Sequence, residues 1–503
     1  MIYSPFFTFV CLVSFPHLVS SACDPIPPLS LRIGNATITD REVVRWGLGV
    51  EFGTPPQTIV AALDADWNNT AFWNTSLPCG NLSRPACSWV HGGSFDESGS
   101  TSWKRTKNPD MMELNPGGDA INARGNDNLK LGSDILIDQF PVYFPKPRVV
   151  PQNGIGMGPD STFVNFLFDQ KKIASKTWSL FWGWQGAEQA HQMNGNLVLG
   201  GYDKAKTGGA NLTSKFSDGI GCPSSLLVYL SNIVVNHADG KNSSLFGTAG
   251  SALRACIKPD NPLITLPENV FDNLKKFLPG KPVEHSMGIY PSSLAYEPEN
   301  VFAGNITFTL SSGLQITIPN HQIVLPNVAV DADGKQQMVD NNKTINFGQA
   351  RQGVMPYLGQ PFLSSTYLHV NNELKEFTVW EANPTTDTEL VPVRHNSDDS
   401  SCDDDGSSLS GGAIAGIVVG VVAFIAIVAL GIFFFLRRRR NKNRDRDSKA
   451  GLPLVEVNQG LDDKKQDTPQ EMDAGISQQA PVELPDQDYS PQELPADVPS
   501  HHR

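Results

Sequence analysis

Short runs in which apolar and polar residues alternate dominate the chain before about residue 386. Ile306, Phe308 and Leu310 alternate with threonines, Ser311-Ser312-Gly313 turns the chain, and Leu314, Ile316 and Ile318 alternate again. A period of two turns one face of each run toward a core, so this segment predicts a hairpin with one buried face. Asn196 to Leu199 before Gly200-Gly201, and Leu226 to Val235 before Asp239-Gly240, predict strands in the same way. Helical periodicity is confined to about 161–174 and to 268–278, which Pro279-Gly280 stops. The predicted fold class is all-β dominated, with a few short helices.

Two apolar runs have a different character. Phe6 to Val19, followed by Ser20-Ser21-Ala22, predicts a signal peptide over 1–22 that is cleaved before Cys23. Ala413 to Leu436 is 24 residues without a charge. At about 1.5 Å per residue such a helix spans a hydrocarbon core of about 30 Å. Arg437 to Arg440 follow directly, and the positive-inside rule then puts the C-terminus in the cytosol. The chain therefore divides into a signal peptide (1–22), a folded ectodomain (40–385), a Ser/Gly stalk rich in aspartate (386–411), a transmembrane helix (412–436) and a disordered cytoplasmic tail (437–503). The implied localisation is a single-pass type I membrane protein with an extracellular or luminal ectodomain.

Charge sharpens this picture. The net charge of −13 argues against nucleic acid as a partner. Residues 437–449 nevertheless hold eight Lys or Arg against two Asp, a basic start that suits the anionic inner leaflet of a lipid bilayer. Gly412, Gly416 and Gly420 share one face of the membrane helix, which predicts a homodimer through close backbone approach. Eight N-x-[ST] sequons, at Asn35, Asn68, Asn74, Asn81, Asn211, Asn242, Asn305 and Asn342, all precede residue 343, as expected of a glycosylated luminal region. Of seven cysteines, Cys11 lies in the signal peptide. The remaining six, at 23, 79, 87, 222, 256 and 402, suit an oxidising compartment, and spacing leaves their pairing open. No metal-ligand spacing, phosphate loop or G-x-S-x-G is present, so no metal or cofactor is expected.

Gly53-Thr54-Pro55-Pro56-Gln57 precedes the apolar run Ala61-Ala62-Leu63 and then Asp64. Further on come Gly154-Ile155-Gly156-Met157-Gly158, Ser179-Leu180, Gly195 to Asp203, Leu266-Pro267 and Tyr357-Leu358-Gly359-Gln360-Pro361-Phe362-Leu363. In this order the segments resemble those of the pepsin-like aspartic endopeptidases. The resemblance implies two β lobes, about 40–212 and 213–385, with a cleft between them. It also implies two carboxylates, one in each of two D-[TS]-G-[ST] loops. Such a pair shares one proton, because two like charges that close do not both ionise, and it acts as base and acid on a bound water.

Both loops depart from that pattern. The first reads Asp64-Ala65-Asp66-Trp67, with Asp64 at the catalytic place by its spacing from Gly53 and Asp66 there by its spacing to Phe72-Trp73. The second reads Lys258-Pro259-Asp260-Asn261-Pro262, which puts Lys258 at the second aspartate position. A lysine ammonium beside Asp64 is expected to pair with it and keep it ionised. Asp260 takes that place only after a two-residue shift, which Pro259 and Pro262 oppose. Trp67 and Trp73 read as core filling. The flap tyrosine of the family has no counterpart, since its place falls near Asn122 and 121–131 contains no aromatic residue. The resemblance also implies a short Cys79–Cys87 loop, with a Cys222–Cys256 bridge in the second lobe. The expected function is a catalytically inactive surface receptor or sensor that binds an extended peptide or other extracellular ligand. The alternative is an active membrane-anchored aspartic endopeptidase.

Overall fold

The computed structural model of the protein describes residues 26–394, apart from 40–42, 107–120, 133–134, 147–151, 218–220, 249 and 283–291. The predicted signal peptide, most of the stalk, the membrane span with its glycine face and the tail lie outside the described residues, as do Cys23 and Cys402. Among the described residues no helix is long and apolar enough to cross a membrane.

The first half of the fold supplies β1 (Leu29–Ile38), β2 (Val43–Phe52), β3 (Gln57–Asp64), β4 (Lys104–Arg105), β5 (Ile121–Leu131), β6 (Ile135–Pro145), β7 (Gly154–Gly156), β8 (Thr177–Gln185), β9 (Gln192–Leu199), β10 (Gly201–Asp203) and β11 (Thr207–Lys215). The second half supplies β12 (Leu227–Asn236), β13 (Asn242–Ser244), β14 (Leu253–Ile257), β15 (Ile264–Leu266), β16 (Leu294–Tyr296), β17 (Asn305–Leu310) and β18 (Gln315–Ile318). It continues with β19 (Val324–Val330), β20 (Gln336–Ile345), β21 (Phe347–Gln349), β22 (Tyr357–Leu358), β23 (Thr366–Asn371), β24 (Glu376–Ala382) and β25 (Leu390–Pro392). Five short helices are described: α1 (Arg84–His91), α2 (Thr162–Asp169), α3 (Glu268–Phe277), α4 (Asn320–Ile323) and α5 (Gln360–Leu363).

One large sheet runs β11-β24-β23-β8-β9-β1-β2-β3-β7, with β4, β5 and β6 attached through β2. Strands from both ends of the chain share it, so it ties the two lobes together. The second lobe has its own sheet, β18-β17-β12-β14-β22, and a three-stranded sheet, β16-β20-β19. The architecture is bilobal and pepsin-like. Alternation works as expected in β17 and β18, where Ile306, Phe308, Leu310, Ile316 and Ile318 are all buried. In β3 the residues from Ile59 to Leu63 are buried without alternation, because this strand is covered on both faces.

Three expectations change. Ordered pairing extends beyond 40–385: Leu31 and Ile33 of β1 are buried, and β25 pairs with β10. Helix α1 was not anticipated, although Ser83 caps it by accepting from the Ala86 N–H and a proline sits in its first turn. It ends at Gly92, whose φ of 80° places it in the left-handed region, and a Cβ there would meet the Val60 oxygen at 2.0 Å. The helix predicted over 161–174 is shorter, stopping at Asp169.

Both expected disulfides are present. Cys79–Cys87 closes the loop that leads into α1, and Cys222–Cys256 ties the approach to β12 to β14.

Candidate active site

The two catalytic-loop candidates follow equivalent strands. The Ala62 N–H donates to the Asn153 oxygen and the Cys256 N–H to the Pro356 oxygen, both at 2.9 Å. Ala62 then pairs in parallel with Gly154, and Cys256 with Tyr357. Two residues beyond each pairing stand Asp64 and Lys258. Two residues further stand Asp66 and Asp260. The hydrogen-bond register thus makes Asp64 the counterpart of Lys258, and Asp66 the counterpart of Asp260.

Each loop is pressed onto a glycine. A Cβ on Gly156 would lie 2.6 Å from the Asn68 carbonyl carbon, and one on Gly359 would lie 2.2 Å from the Asn261 oxygen. These close approaches explain the glycines of the two family-like segments. The first loop is also fixed by backbone hydrogen bonds, from the Met157 N–H to the Asp64 carbonyl oxygen at 2.8 Å and from the Gly158 N–H to the Trp67 carbonyl oxygen at 2.9 Å.

The loops meet at a cluster of three carboxylates and one ammonium. Lys258 Nζ donates to Asp66 Oδ2, in a pair whose side chains are only 13% and 10% exposed. The same ammonium lies 4.7 Å from the centre of the Tyr357 ring. The Asp66 N–H donates to Asp64 Oδ1 at 3.1 Å. Asp66 Oδ1 and Asp260 Oδ1 are buried with no hydrogen-bond partner among the described residues.

Burial, followed by the Asp260 and Asp66 charges, holds the Asp64 carboxyl well above the usual carboxylate range, and Lys258 only partly opposes this. Burial also pushes Asp260 up to about 6, with Lys258 opposing and Asp66 adding. For Lys258 burial works against the charge, but Asp260, Asp66 and Asp64 more than offset it, so the ammonium keeps its proton above the ordinary lysine range. The expectation that Lys258 pairs with Asp64 and keeps it ionised is therefore corrected. The partner is Asp66, because the loop turns that carboxylate toward the second lobe, and Asp64 is left buried among other acids.

Trp73 is buried, with its ring stacked on His91 and its backbone N–H donating to Asn153 Oδ1 at 2.6 Å. Trp67 is half-buried and stacks on Tyr143 at 5.9 Å. Burial and the nearby Asp64 raise the Tyr143 phenol. Asn122 is not at a hairpin tip: it lies within β5, and β5 pairs with β4 at Gly125 and Asn126. Residues 107–120, between β4 and β5, lie outside the described residues.

Sequence reasoning missed Tyr357 as the ring facing Lys258. It also missed Gln152, whose Nε2 donates to the backbone oxygen of Asp260 at 3.1 Å, and Gln360, whose Nε2 donates to the backbone oxygen of Pro259 at 3.3 Å. Gln152 and Gln360 flank the two glycine segments, which was the available signal. Among the sequons, Asn35, Asn81, Asn211, Asn242 and Asn305 are exposed, and Asn68 and Asn342 are half-buried. Asn74 is 4% exposed, and its Nδ2, the atom that would carry a glycan, donates to Glu97. No group of residues suited to a metal ion occurs among the described residues.

Two lobes tied by a shared sheet, with equivalent loops meeting between them, define a pepsin-like aspartic protease scaffold. The family model of eukaryotic aspartyl proteases matches residues 47–379, well over half of the chain, and this chain belongs to that family. No curated protein matches it.

Proposed function

We propose that this protein is a non-catalytic member of its family, a single-pass membrane glycoprotein whose ectodomain binds a peptide ligand in its cleft. The observation that carries this reading is the replacement of the second carboxylate by Lys258 and the engagement of that ammonium with Asp66. The family's chemistry needs a carboxylate pair holding one proton, with the ionised member free to take a proton from water. Here Asp66 is committed to Lys258. Asp64 and Asp260 are both raised, so in acid they hold protons and neither serves as base. The uncharged segment 413–436 with its four following arginines, and the exposed sequons, support the anchored and glycosylated form.

The test incubates the purified chain with a defined peptide mixture at pH 4.5 and pH 7, separates bound from free peptide, and weighs both by mass spectrometry. The expected result is a retained subset of peptides with intact masses. New fragment masses that vanish in Asp64→Asn would refute the proposal.

A further inference from the structure

A cavity of about 830 Å³ is lined by residues of β2 and α1 from the first lobe and of β19 from the second. Its volume falls within the range of ligand pockets. Asp64, Asp66 and Lys258 take no part in its lining. One residue of its wall is a sequon asparagine, Asn35 of Asn35-Ala36-Thr37.

Strand register fixes what stands beside Asn35. β1 and β2 are antiparallel, with Asn35 paired directly with Trp46 and Thr37 with Val44. Directly paired residues point to the same face of a sheet, with Cβ atoms about 5 Å apart. Asn35, Trp46 and Val44 all line the cavity, so this face is the one turned toward it. All three keep accessible surface: Asn35 and Val44 are exposed and Trp46 is half-buried. A first sugar on Asn35 Nδ2 would start beside the indole.

The accessible lining suits a saccharide. With the Gln185 amide turned to accept from both indoles, its oxygen lies 2.7 Å from Trp182 Nε1 and 3.3 Å from Trp46 Nε1, so the Trp46 ring is held at its N–H edge. A held indole offers the C–H groups of a pyranose ring a flat, electron-rich face. Gln192 and Gln336, both exposed, add neutral amides, which sugar hydroxyls and N-acetyl groups use as partners. Arg45 is the one cation of the lining, and its guanidinium is committed to the Trp89 and Val90 oxygens and to Gln152 Oε1. An anionic ligand therefore finds no uncommitted cation in this wall.

Resting on the reading of the ectodomain as glycosylated, we propose that the N-glycan of Asn35 folds back into this cavity, with its first N-acetylglucosamine stacked on Trp46. The occupant is carried by the chain itself. Its effective concentration at the indole is on the order of millimolar, so weak stacking is enough to dock it and a free saccharide competes poorly. The docked glycan fills space beside β19 and becomes part of the junction between the lobes.

The test uses the full chain purified in detergent from a eukaryotic secretory host. The native protein is treated with peptide N-glycosidase, and release is followed site by site by mass spectrometry, with the exposed Asn211 and Asn305 as references. A glycan docked for about nine-tenths of the time is released roughly tenfold more slowly than a free one. The expected result is that lag at Asn35 in the wild type, its loss after denaturation and in Trp46→Ala, and unchanged release at Asn211 and Asn305 in the native variant. A second readout leaves Trp46 in place: Thr37→Ala removes the sequon, and amide hydrogen exchange over 43–46 should then quicken. Release at Asn35 as fast as at the references, a lag that survives in Trp46→Ala, or unchanged exchange in Thr37→Ala would each overturn the inference. A bare Asn35 beside occupied Asn211 and Asn305 overturns it alone, whereas bare asparagines at every sequon overturn the glycosylated reading with it.

Discussion

The Lys258 ammonium pairs with Asp66, not with Asp64, its counterpart by strand register. The pair is nearly enclosed, so neither charge has water to fall back on. Removing one partner strands the other. Lys258→Met is expected to destabilise the chain by about 3–5 kcal/mol, while Lys258→Met combined with Asp66→Leu recovers most of that loss. Urea unfolding of the two single variants and the double variant measures it. Additive losses would mean that the two groups do not act as a pair.

Stability should carry a pH signature from Asp260. Its carboxyl is raised from an ordinary 3.8 to about 6, so the fold favours the protonated form. That contribution is fully present below about pH 4 and is lost as pH rises through about 6. It amounts to roughly 3 kcal/mol. Asp260→Asn removes it and also relieves part of the upward push on Asp64, so the variant should gain on the wild type between pH 4 and pH 7.5. His369, buried and lowered to about 4, has the opposite sign, with stability lost as pH falls through that value. It is common to both proteins and cancels in the difference. A wild-type-minus-variant difference that stays flat with pH contradicts the assignment.

The two loop-packing glycines should be intolerant of a methyl group. Gly156→Ala and Gly359→Ala each force a Cβ into backbone atoms, at 2.6 Å and 2.2 Å respectively. Each is expected to cost about 2 kcal/mol or more, in the range of overpacked cores. Gly247→Ala meets nothing within 4 Å and serves as the control, with an expected change of less than about 0.5 kcal/mol. Thermal unfolding of the three variants compares them directly.

Much of the fold was legible because its signals are local. Period-two alternation gave the β17–β18 hairpin, and glycine-rich segments in family order gave the bilobal frame. The substitution at Lys258 was visible from spacing to Leu266-Pro267 alone. Its partner was not, because Asp64 and Asp66 are two residues apart and only the turn after β3 decides which carboxylate faces the second lobe. Helix α1 was missed although its capping serine, its first-turn proline and an amphipathic stretch are all local signals; it is only eight residues long and buries Ala, Cys and Ser beside one Trp, small residues that do not stand out as a core face. The hydrogen bond from Ser83 Oγ to the Ala332 oxygen joins residues 249 positions apart, and nothing in either local sequence announces it.

Glycan occupancy should follow exposure. Asn35, Asn81, Asn211, Asn242 and Asn305 are expected to carry glycans in a eukaryotic secretory host. Asn74 is expected to be bare, because its amide nitrogen is already used on Glu97 in a buried site. Peptide mapping after enzymatic deglycosylation in heavy-oxygen water distinguishes the sites. A fully occupied Asn74 would mean that the loop around it is arranged differently in the mature protein.

The central claim is that the cluster of Asp64, Asp66, Asp260 and Lys258 does not hydrolyse peptide bonds. The most direct measurement is turnover of a fluorogenic peptide library by the purified chain from pH 3 to pH 7, alongside Asp64→Asn and Asp260→Asn. The predicted result is a rate indistinguishable from buffer for all three proteins at every pH. Turnover by the wild type that is abolished by Asp64→Asn or by Asp260→Asn would contradict the account and identify which carboxylate acts.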